Sequence, residues 1–200
     1  MEFQNLSTYN EFKTVGVSNI KKQIILTDSK RGYKNYINSL IYRYNKKNLY
    51  LPHYLITKDG EVFQFIEPES YTNYMDNEDV NRFGIIISLE NYNWLKKNPL
   101  EDTYVNWIGD IYNQKVFERK WRDYFFWQPY IEEQLELTAK LCVEITKETS
   151  IPLRSVEHNT KINGVEKIEG IVTRSNFDSD FTDVSPAFNF EYFIKQLYNE

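Results

Sequence analysis

Cysteine is scarce in this chain. Its 200 residues include a single cysteine, Cys142, so neither an internal disulfide nor a zinc cluster of several thiolates can form. Cys142 falls on the apolar face of a predicted helix, where we expect it to pack in the core.

Long apolar runs and concentrations of positive charge are also missing. No stretch of 18 apolar residues occurs, and residues 1–5 lack the charged and then apolar pattern of a signal peptide. The 29 acidic and 24 basic residues are spread along the chain, so no basic stripe is available to neutralise nucleic-acid phosphates. We therefore expect cytoplasmic synthesis without a signal peptide, and neither a membrane nor a nucleic acid as partner.

Apolar and aromatic residues, in contrast, are plentiful. Hydrophobic residues make up 41% of the chain and aromatic residues 16%. A chain of this size and composition buries about two thirds of its unfolded surface. We predict a single domain covering residues 1–200, in which residues 1–20 are polar and show no periodic pattern.

Alternating strands and helices are predicted in the first half of the chain. Residues 23–26 form a short β-branched run typical of a buried strand. From Tyr33 to residues 45–48, apolar side chains recur every three or four positions, as on one face of a helix. Residues 83–89 are almost continuously apolar, as in a central strand. The expected fold class is α/β, with a central mixed β-sheet flanked by helices.

Turn and cap signals complete the predicted fold. An Asp-Gly pair ending at Gly60 separates two β-rich runs and predicts a hairpin. A second amphipathic helix is predicted from Ile131 to a point before Pro152. Asn189 is a suitable cap for a last short helix. Residues 157–186 are polar and are predicted to form a loop.

Residues 91–130 form an aromatic-rich insertion that contains all four tryptophans. These aromatics either fill a subsidiary core or form a contact surface, because tryptophan and tyrosine serve both purposes. The second alternative predicts a protein partner that binds through Trp107, Trp121 and Trp127. The basic and aromatic cluster at residues 119–122 is either a ligand surface or a solvated face with internal cation–π pairs.

Four separated segments carry a family resemblance. They are residues 52–60, residues 84–91, residues 151–158 and residues 183–188. In this order they resemble segments of the zinc-dependent N-acetylmuramoyl-L-alanine amidases, a superfamily that includes the peptidoglycan recognition proteins. The resemblance implies an amidase-like α/β domain and a peptidoglycan fragment or related glycopeptide as ligand.

If the domain is active, the resemblance also implies a zinc site. His158 and Asp183 match two of the three metal ligands of the family. At the position of the remaining histidine the chain has Thr27 and Asp28. Asp28 could be the third ligand because a carboxylate can bind zinc, and a shift of one residue in the strand register would put Thr27 there instead. The bound water would then attack the amide, although two aspartates and one histidine shift preference towards harder cations.

The catalytic candidates are Glu90 and Glu157, which fall near the implied cleft and could each act as a general base. A carboxylate in such a position is more often an ordinary surface residue. Other groups that the family uses are replaced here by Pro52, Ser88 and Phe181, and loss of an acid or base usually costs about 100-fold to 10,000-fold in rate. Two functions therefore stay open: an amidase, or an inactive binding or structural protein, such as a phage or bacterial assembly component, located in a virion or at the cell wall.

The histidines and aspartates also have structural alternatives. His53 is expected to be buried in a strand, and His158 could be an ordinary surface residue. Asp183 could organise a turn, since aspartate readily bonds to backbone groups. Asp28 could cap the helix that starts near Gly32 or lie in a solvated loop.

Overall fold

The computed structural model describes residues 12–199, so most of the unpatterned segment predicted at residues 1–20 lies outside the described residues. The strands are β1 (Gly16–Val17), β2 (Gln23–Asp28), β3 (Tyr54–Ile56), β4 (Val62–Gln64), β5 (Ser70–Tyr71), β6 (Gly84–Leu89), β7 (Trp94–Lys97), β8 (Tyr104–Val105), β9 (Ile111–Tyr112), β10 (Phe117–Trp121), β11 (Tyr124–Trp127) and β12 (Gly170–Thr173). The α-helices are α1 (Tyr33–Asn45), α2 (Glu78–Phe83), α3 (Glu132–Glu148) and α4 (Phe190–Tyr198).

The main sheet has five strands in the order β12-β2-β6-β3-β4. Strands β12, β2, β6 and β3 run parallel, and β4 pairs antiparallel with β3. Strand β6 is central and buried along its whole length, as predicted for residues 83–89. The sheet is therefore mixed, which confirms the predicted α/β class.

Alternation along β2 divides the core between the two faces of the sheet. Ile24 and Leu26 pack in the same cluster as residues of α3 and α4, whereas Ile25 packs in a second cluster with Val80 and Tyr74. Successive side chains of a strand point to opposite faces. The same alternation places Thr27 on the face of Ile25 and Asp28 on the face of α3.

The predicted helices and hairpin are found, with one local correction. Helix α1 spans residues of the predicted apolar stripe, Gly60 adopts a φ of +82° in the hairpin turn, and Cys142 is buried. Asn189 caps α4 by accepting a hydrogen bond from the Tyr192 N–H at 3.0 Å. Ile131, however, is the exposed residue that precedes α3 rather than part of its buried face.

The predicted loop over residues 157–186 contains regular structure, namely two short 3-10 helices (Val165–Lys167 and Arg174–Asn176) and one strand. Residues 170–173 form the edge strand β12, which pairs in parallel with β2. The strand has only four residues between polar flanks, so its apolar signal is too short to stand out. Strand β12 is important for the site because it brings Arg174 to the edge of the main sheet.

The aromatic insertion forms a second, antiparallel sheet in the order β10-β11-β7-β8-β9, which the sequence reading did not anticipate. Its aromatics divide between buried and exposed positions. Trp127 is fully buried and packs against Trp121, so it cannot serve as the surface contact that we predicted. Phe125 and Trp107, by contrast, are exposed. Within residues 12–199, none of the helices combines the length and apolar character needed to cross a bilayer.

Candidate functional site at the carboxyl edge of the sheet

Several charged residues follow the parallel strands at their carboxyl ends. Lys30 follows β2, Lys58 follows β3, Glu90 follows β6 and Arg174 follows β12. Ligands of sheets with parallel strands bind outside this edge. The carboxyl edge is therefore the candidate functional site.

Asp183 lies fully buried at this edge, between two cations and a hydroxyl. Lys30 Nζ is 3.1 Å from Oδ1, and Arg174 Nη1 is 3.7 Å from Oδ2. The Thr27 hydroxyl donates a hydrogen bond to Oδ2 at 2.5 Å. A buried charge is costly unless it is paired and hydrogen-bonded. Both oxygens of Asp183 are thus already engaged by groups of this chain.

Asp28 lies on the other face of the sheet in a separate network. The Tyr130 hydroxyl is 2.7 Å from both carboxylate oxygens, and Asn93 Nδ2 donates to Oδ2 at 2.6 Å. Tyr130 also accepts a hydrogen bond from the Ser185 N–H at 3.1 Å. Asp28 is therefore neither a helix cap nor a solvated loop residue, because it lies in β2 and is buried.

The two carboxyls have opposite pKa shifts. Burial and the charge of nearby Asp183 raise the pKa of Asp28 to about 8, although hydrogen bonds from Tyr130 and Asn93 oppose this. Burial alone would also raise the pKa of Asp183, but Lys30, Arg174 and Thr27 outweigh it and lower this pKa to about 2. Asp183 is consequently the carboxyl of the pair that favours the negative charge, and Asp28 is the one that favours the protonated form.

The two predicted catalytic glutamates lie in very different surroundings. Glu90 is buried, and its two oxygens accept hydrogen bonds from the Tyr33 N–H at 2.9 Å and the Lys58 N–H at 3.0 Å. It therefore satisfies the first turn of α1 and the start of the hairpin turn, and it is not a surface carboxylate. Glu157 is exposed, with a φ of +65°.

The histidines also differ. His53 is buried, accepts a hydrogen bond from the Ile86 N–H at Nδ1 and donates from Nε2 to the Ser70 carbonyl, both at 2.9 Å. This confirms the structural alternative for His53. His158 is exposed, and its Nδ1 lies 2.9 Å from the Thr160 hydroxyl.

The arrangement of these residues does not fit a catalytic zinc ion. Between residues 12 and 199, no group of three or more His, Cys, Asp or Glu side chains is placed to hold a metal. Asp183 is ion-paired, Asp28 belongs to the Tyr130 network on the other face, and His158 bonds locally. Zinc in enzymes usually has three protein ligands and an open position, and these residues do not supply that set.

Lys30 and Arg174 are the site residues that sequence reasoning missed. Thr27 is an alternative metal ligand in the sequence analysis, and in the structure its hydroxyl bonds to Asp183 instead. Lys30 lies two residues after β2. A basic residue at the end of a strand is the sequence signal that could have identified it. Arg174 had no such signal, because the strand before it was not predicted.

The mixed sheet with its polar carboxyl edge defines an amidase-like α/β domain. The chain belongs to the N-acetylmuramoyl-L-alanine amidase family, whose model matches residues 20–168. The match includes β2, β3 and β6 but ends before β12. Asp183 and Arg174 therefore lie outside the matched residues.

Solved structures of several bacterial proteins have a similar fold. The Staphylococcus aureus hydrolase AmiA, in complex with its ligand, is 9% identical with a TM-score of 0.55, over 98% of this chain and 82% of that protein. AmiD of E. coli, an N-acetylmuramyl-L-alanine amidase in complex with an anhydromuramyl peptide substrate, is 15% identical with a TM-score of 0.51, over 92% of this chain and 60% of that protein. AmpDh3 of Pseudomonas aeruginosa, in complex with an anhydromuramic pentapeptide, is 11% identical with a TM-score of 0.54, over 94% of this chain and 64% of that protein.

These identities show a shared fold and no more. The chain spans less than two thirds of the length of AmiD and of AmpDh3. No curated protein sequence matches the chain.

Proposed function

We propose that this domain binds a peptidoglycan fragment at the carboxyl edge of its main sheet and does not hydrolyse it through a zinc-bound water. The observation that carries the proposal is the pairing of Asp183 with both Lys30 and Arg174. Family membership supports a muramyl peptide as the ligand. The muramyl peptides bound to AmiD and AmpDh3 support the same ligand class.

Electrostatics argue against zinc at Asp183. Two unit charges 4 Å apart interact by about 4 kcal/mol at an effective dielectric constant of about 20, and a divalent ion doubles this to about 8 kcal/mol. A zinc ion bound to Asp183 would be repelled in this way by the ammonium of Lys30 and by the guanidinium of Arg174. The two cations, rather than zinc, therefore balance the negative charge of the buried carboxylate.

The other groups of the site are also committed to structural contacts. Glu90 uses both oxygens for backbone N–H groups, so it has no oxygen without a hydrogen bond with which to activate a water. Asp28 is held by Tyr130 and Asn93 in a buried network. A general base must reach the proton that it removes. These contacts favour binding over hydrolysis.

The proposal is tested with N-acetylmuramyl-L-alanyl-D-isoglutamine as a soluble fragment. Isothermal titration calorimetry should show saturable binding that is the same with EDTA and with added zinc. The compound should be recovered intact, as judged by mass spectrometry, after long incubation with zinc-supplemented protein.

Two results would contradict the proposal. Release of the free dipeptide in the presence of zinc, but not EDTA, would restore the hydrolase function. Absence of binding to both this compound and purified peptidoglycan would show that a peptidoglycan fragment is not the ligand. Metal content of protein purified without an affinity tag provides an independent check, and no stoichiometric zinc is expected.

A further inference from the structure

Trp107 is the most exposed of the four tryptophans in the aromatic insertion. Its side chain lies in the turn between β8 and β9, and 48% of the residue is exposed, whereas Trp127 is fully buried. A single exposed aromatic side chain is common at a protein surface, so exposure alone does not indicate a ligand. The surroundings of Trp107 distinguish it from the exposed Phe125.

The turn holds Trp107 in a fixed orientation. Asn106 is buried, and its Oδ1 accepts hydrogen bonds from the Ile108 N–H at 3.1 Å and the Asp110 N–H at 2.8 Å. Its Nδ2 donates to Asp110 Oδ2 at 3.1 Å, and Gly109 supplies a φ of +88°. A binding residue that is already ordered loses less entropy when a ligand arrives.

Trp107 is also joined directly to the carboxyl edge of the main sheet. Its indole Nε1 donates to the Lys30 carbonyl at 2.8 Å, and the Arg31 guanidinium lies 4.8 Å from the centre of its ring. The side chain of the same Lys30 pairs with Asp183. One residue thus connects the exposed indole to the site at which we propose that a peptidoglycan fragment binds.

The chemistry around the ring favours a sugar. The indole N–H is already satisfied, so the ring face is what Trp107 offers to a ligand. Arg31, whose guanidinium lies over one face of the ring, and Asp110 of the same turn carry groups that can bond to hydroxyl and acetamido groups, and they interact electrostatically with each other. A pyranose has a C–H face that stacks on an aromatic ring and a polar rim that needs hydrogen bonds. Protein hot spots, in contrast, usually lie in desolvated pockets.

We propose that Trp107 is a saccharide-stacking residue, which binds the sugar ring of the peptidoglycan fragment while the peptide lies towards Asp183. This inference rests on the proposed function and deepens it, because it assigns the sugar to the aromatic insertion. The turn at residues 106–110 then serves to present the indole at the rim of the site.

The test compares two ligands and three variants. Calorimetry measures the affinity for N-acetylmuramyl-L-alanyl-D-isoglutamine and for the dipeptide L-alanyl-D-isoglutamine, which lacks the sugar. Trp107→Ala should weaken binding of the sugar-containing compound by about tenfold, the equivalent of about 1.4 kcal/mol, and leave dipeptide binding unchanged. Trp107→Phe should retain most of the affinity because it keeps a stacking face. Phe125→Ala, at a side chain of similar exposure (53%) on β11, is the matched control and should bind like the wild type.

Fluorescence supplies a second measurement that does not depend on the alanine variant folding. The emission of the wild-type protein should shift to shorter wavelength as the sugar covers the indole, and Trp107→Phe should lack this shift. Equal affinity of the wild type and Trp107→Ala for the muramyl compound would overturn the inference while leaving the proposed function standing. Failure of the wild type to bind any fragment would overturn both.

Discussion

The ammonium of Lys30 lies 3.1 Å from Oδ1 of Asp183, in an ion pair whose acid is completely buried while the lysine side chain is 27% exposed. Arg174 contacts the other oxygen of the same carboxylate. The carboxylate that the family resemblance assigns to a metal is thus balanced by two side chains of the protein itself. The expected effect of replacing Asp183 and the expected response to zinc both follow from this arrangement.

Replacing Asp183 should be strongly destabilising. Asp183→Asn removes the negative charge and leaves Lys30 and Arg174 facing each other without compensation. Breaking a buried ion pair by removing one partner typically costs about 3–5 kcal/mol, and we expect a loss of at least about 3 kcal/mol in the free energy of unfolding. Urea denaturation at pH 7 measures it.

Asp102→Asn is the matched control for this loss. The Asp102 side chain is 95% exposed in its pair with Lys97, so its removal should change stability by no more than about 0.5 kcal/mol. Equal stability of the two variants would show that Asp183 does not carry the buried charge that we assign to it.

Asp28 should make stability fall as pH rises from about 4 to about 8, and the net decline should be seen above about pH 6.5. Below that pH the buried His53, whose pKa burial lowers from 6.5 to about 3, contributes the opposite slope. The pKa of Asp28 is raised from 3.8 to about 8, so between these values the folded protein holds a proton that the unfolded chain has released. The resulting slope is at most about 1.4 kcal/mol per pH unit. Asp183 acts in the opposite sense: its pKa is lowered to about 2, so its contribution is present above about pH 4 and is lost as pH falls towards 2.

Asp28→Asn separates the two effects. The variant keeps the size of the side chain but cannot ionise, so the decline of stability between pH 6.5 and pH 8 should flatten. Urea denaturation at both pH values gives the comparison with the wild type. An unchanged decline would mean that another group releases the proton.

Much of the main sheet was predictable from the sequence, for a physical reason. The buried strand β6 and the helix α1 have strong local signals, namely a continuous apolar run and a 3.6-residue period. The hairpin depends on the glycine at position 60, whose positive φ is also a local requirement. These elements could be predicted because short-range sequence patterns determine them.

The site could not be predicted in the same way, because it depends on contacts between distant residues. Thr27 and Asp183 are 156 positions apart, and no local pattern shows that their side chains meet. The choice between Thr27 and Asp28 depended on which face of β2 each occupies. Only the packing of Tyr130 against one face and of Tyr74 near the other decides it.

The two predicted catalytic glutamates should respond very differently to substitution. Glu90→Gln keeps one acceptor oxygen but loses a charged hydrogen bond to a backbone N–H, so it should lower the free energy of unfolding by about 1–3 kcal/mol. Glu157→Gln, at an exposed side chain, should change it by less than about 0.5 kcal/mol. Calorimetry should show wild-type affinity for the muramyl compound in both. A selective loss of binding in Glu157→Gln, with stability unchanged, would instead place that residue in the ligand site.

Zinc should not change the melting temperature of the wild-type protein. A ligand that binds only the folded state stabilises it according to its concentration relative to its Kd, and about 1,000-fold excess gives about 4 kcal/mol. The triple variant Thr27→His, Lys30→Met and Arg174→Met removes both cations and places an imidazole where the Thr27 hydroxyl now contacts Asp183. The new imidazole and Asp183 supply two protein ligands, one fewer than a catalytic zinc site usually has. This variant should therefore gain a small rise in melting temperature at high zinc concentration, measured by differential scanning calorimetry with and without EDTA.

The control for this gain is the same triple variant with Thr27→Gln in place of histidine. Glutamine has a similar length but is a poor zinc ligand, so its melting temperature should not respond to zinc. A response of both variants would indicate that zinc binds elsewhere. A response of the wild type would show that Lys30 and Arg174 do not exclude the ion, because repulsion by two neighbouring cations is the physical basis of the prediction.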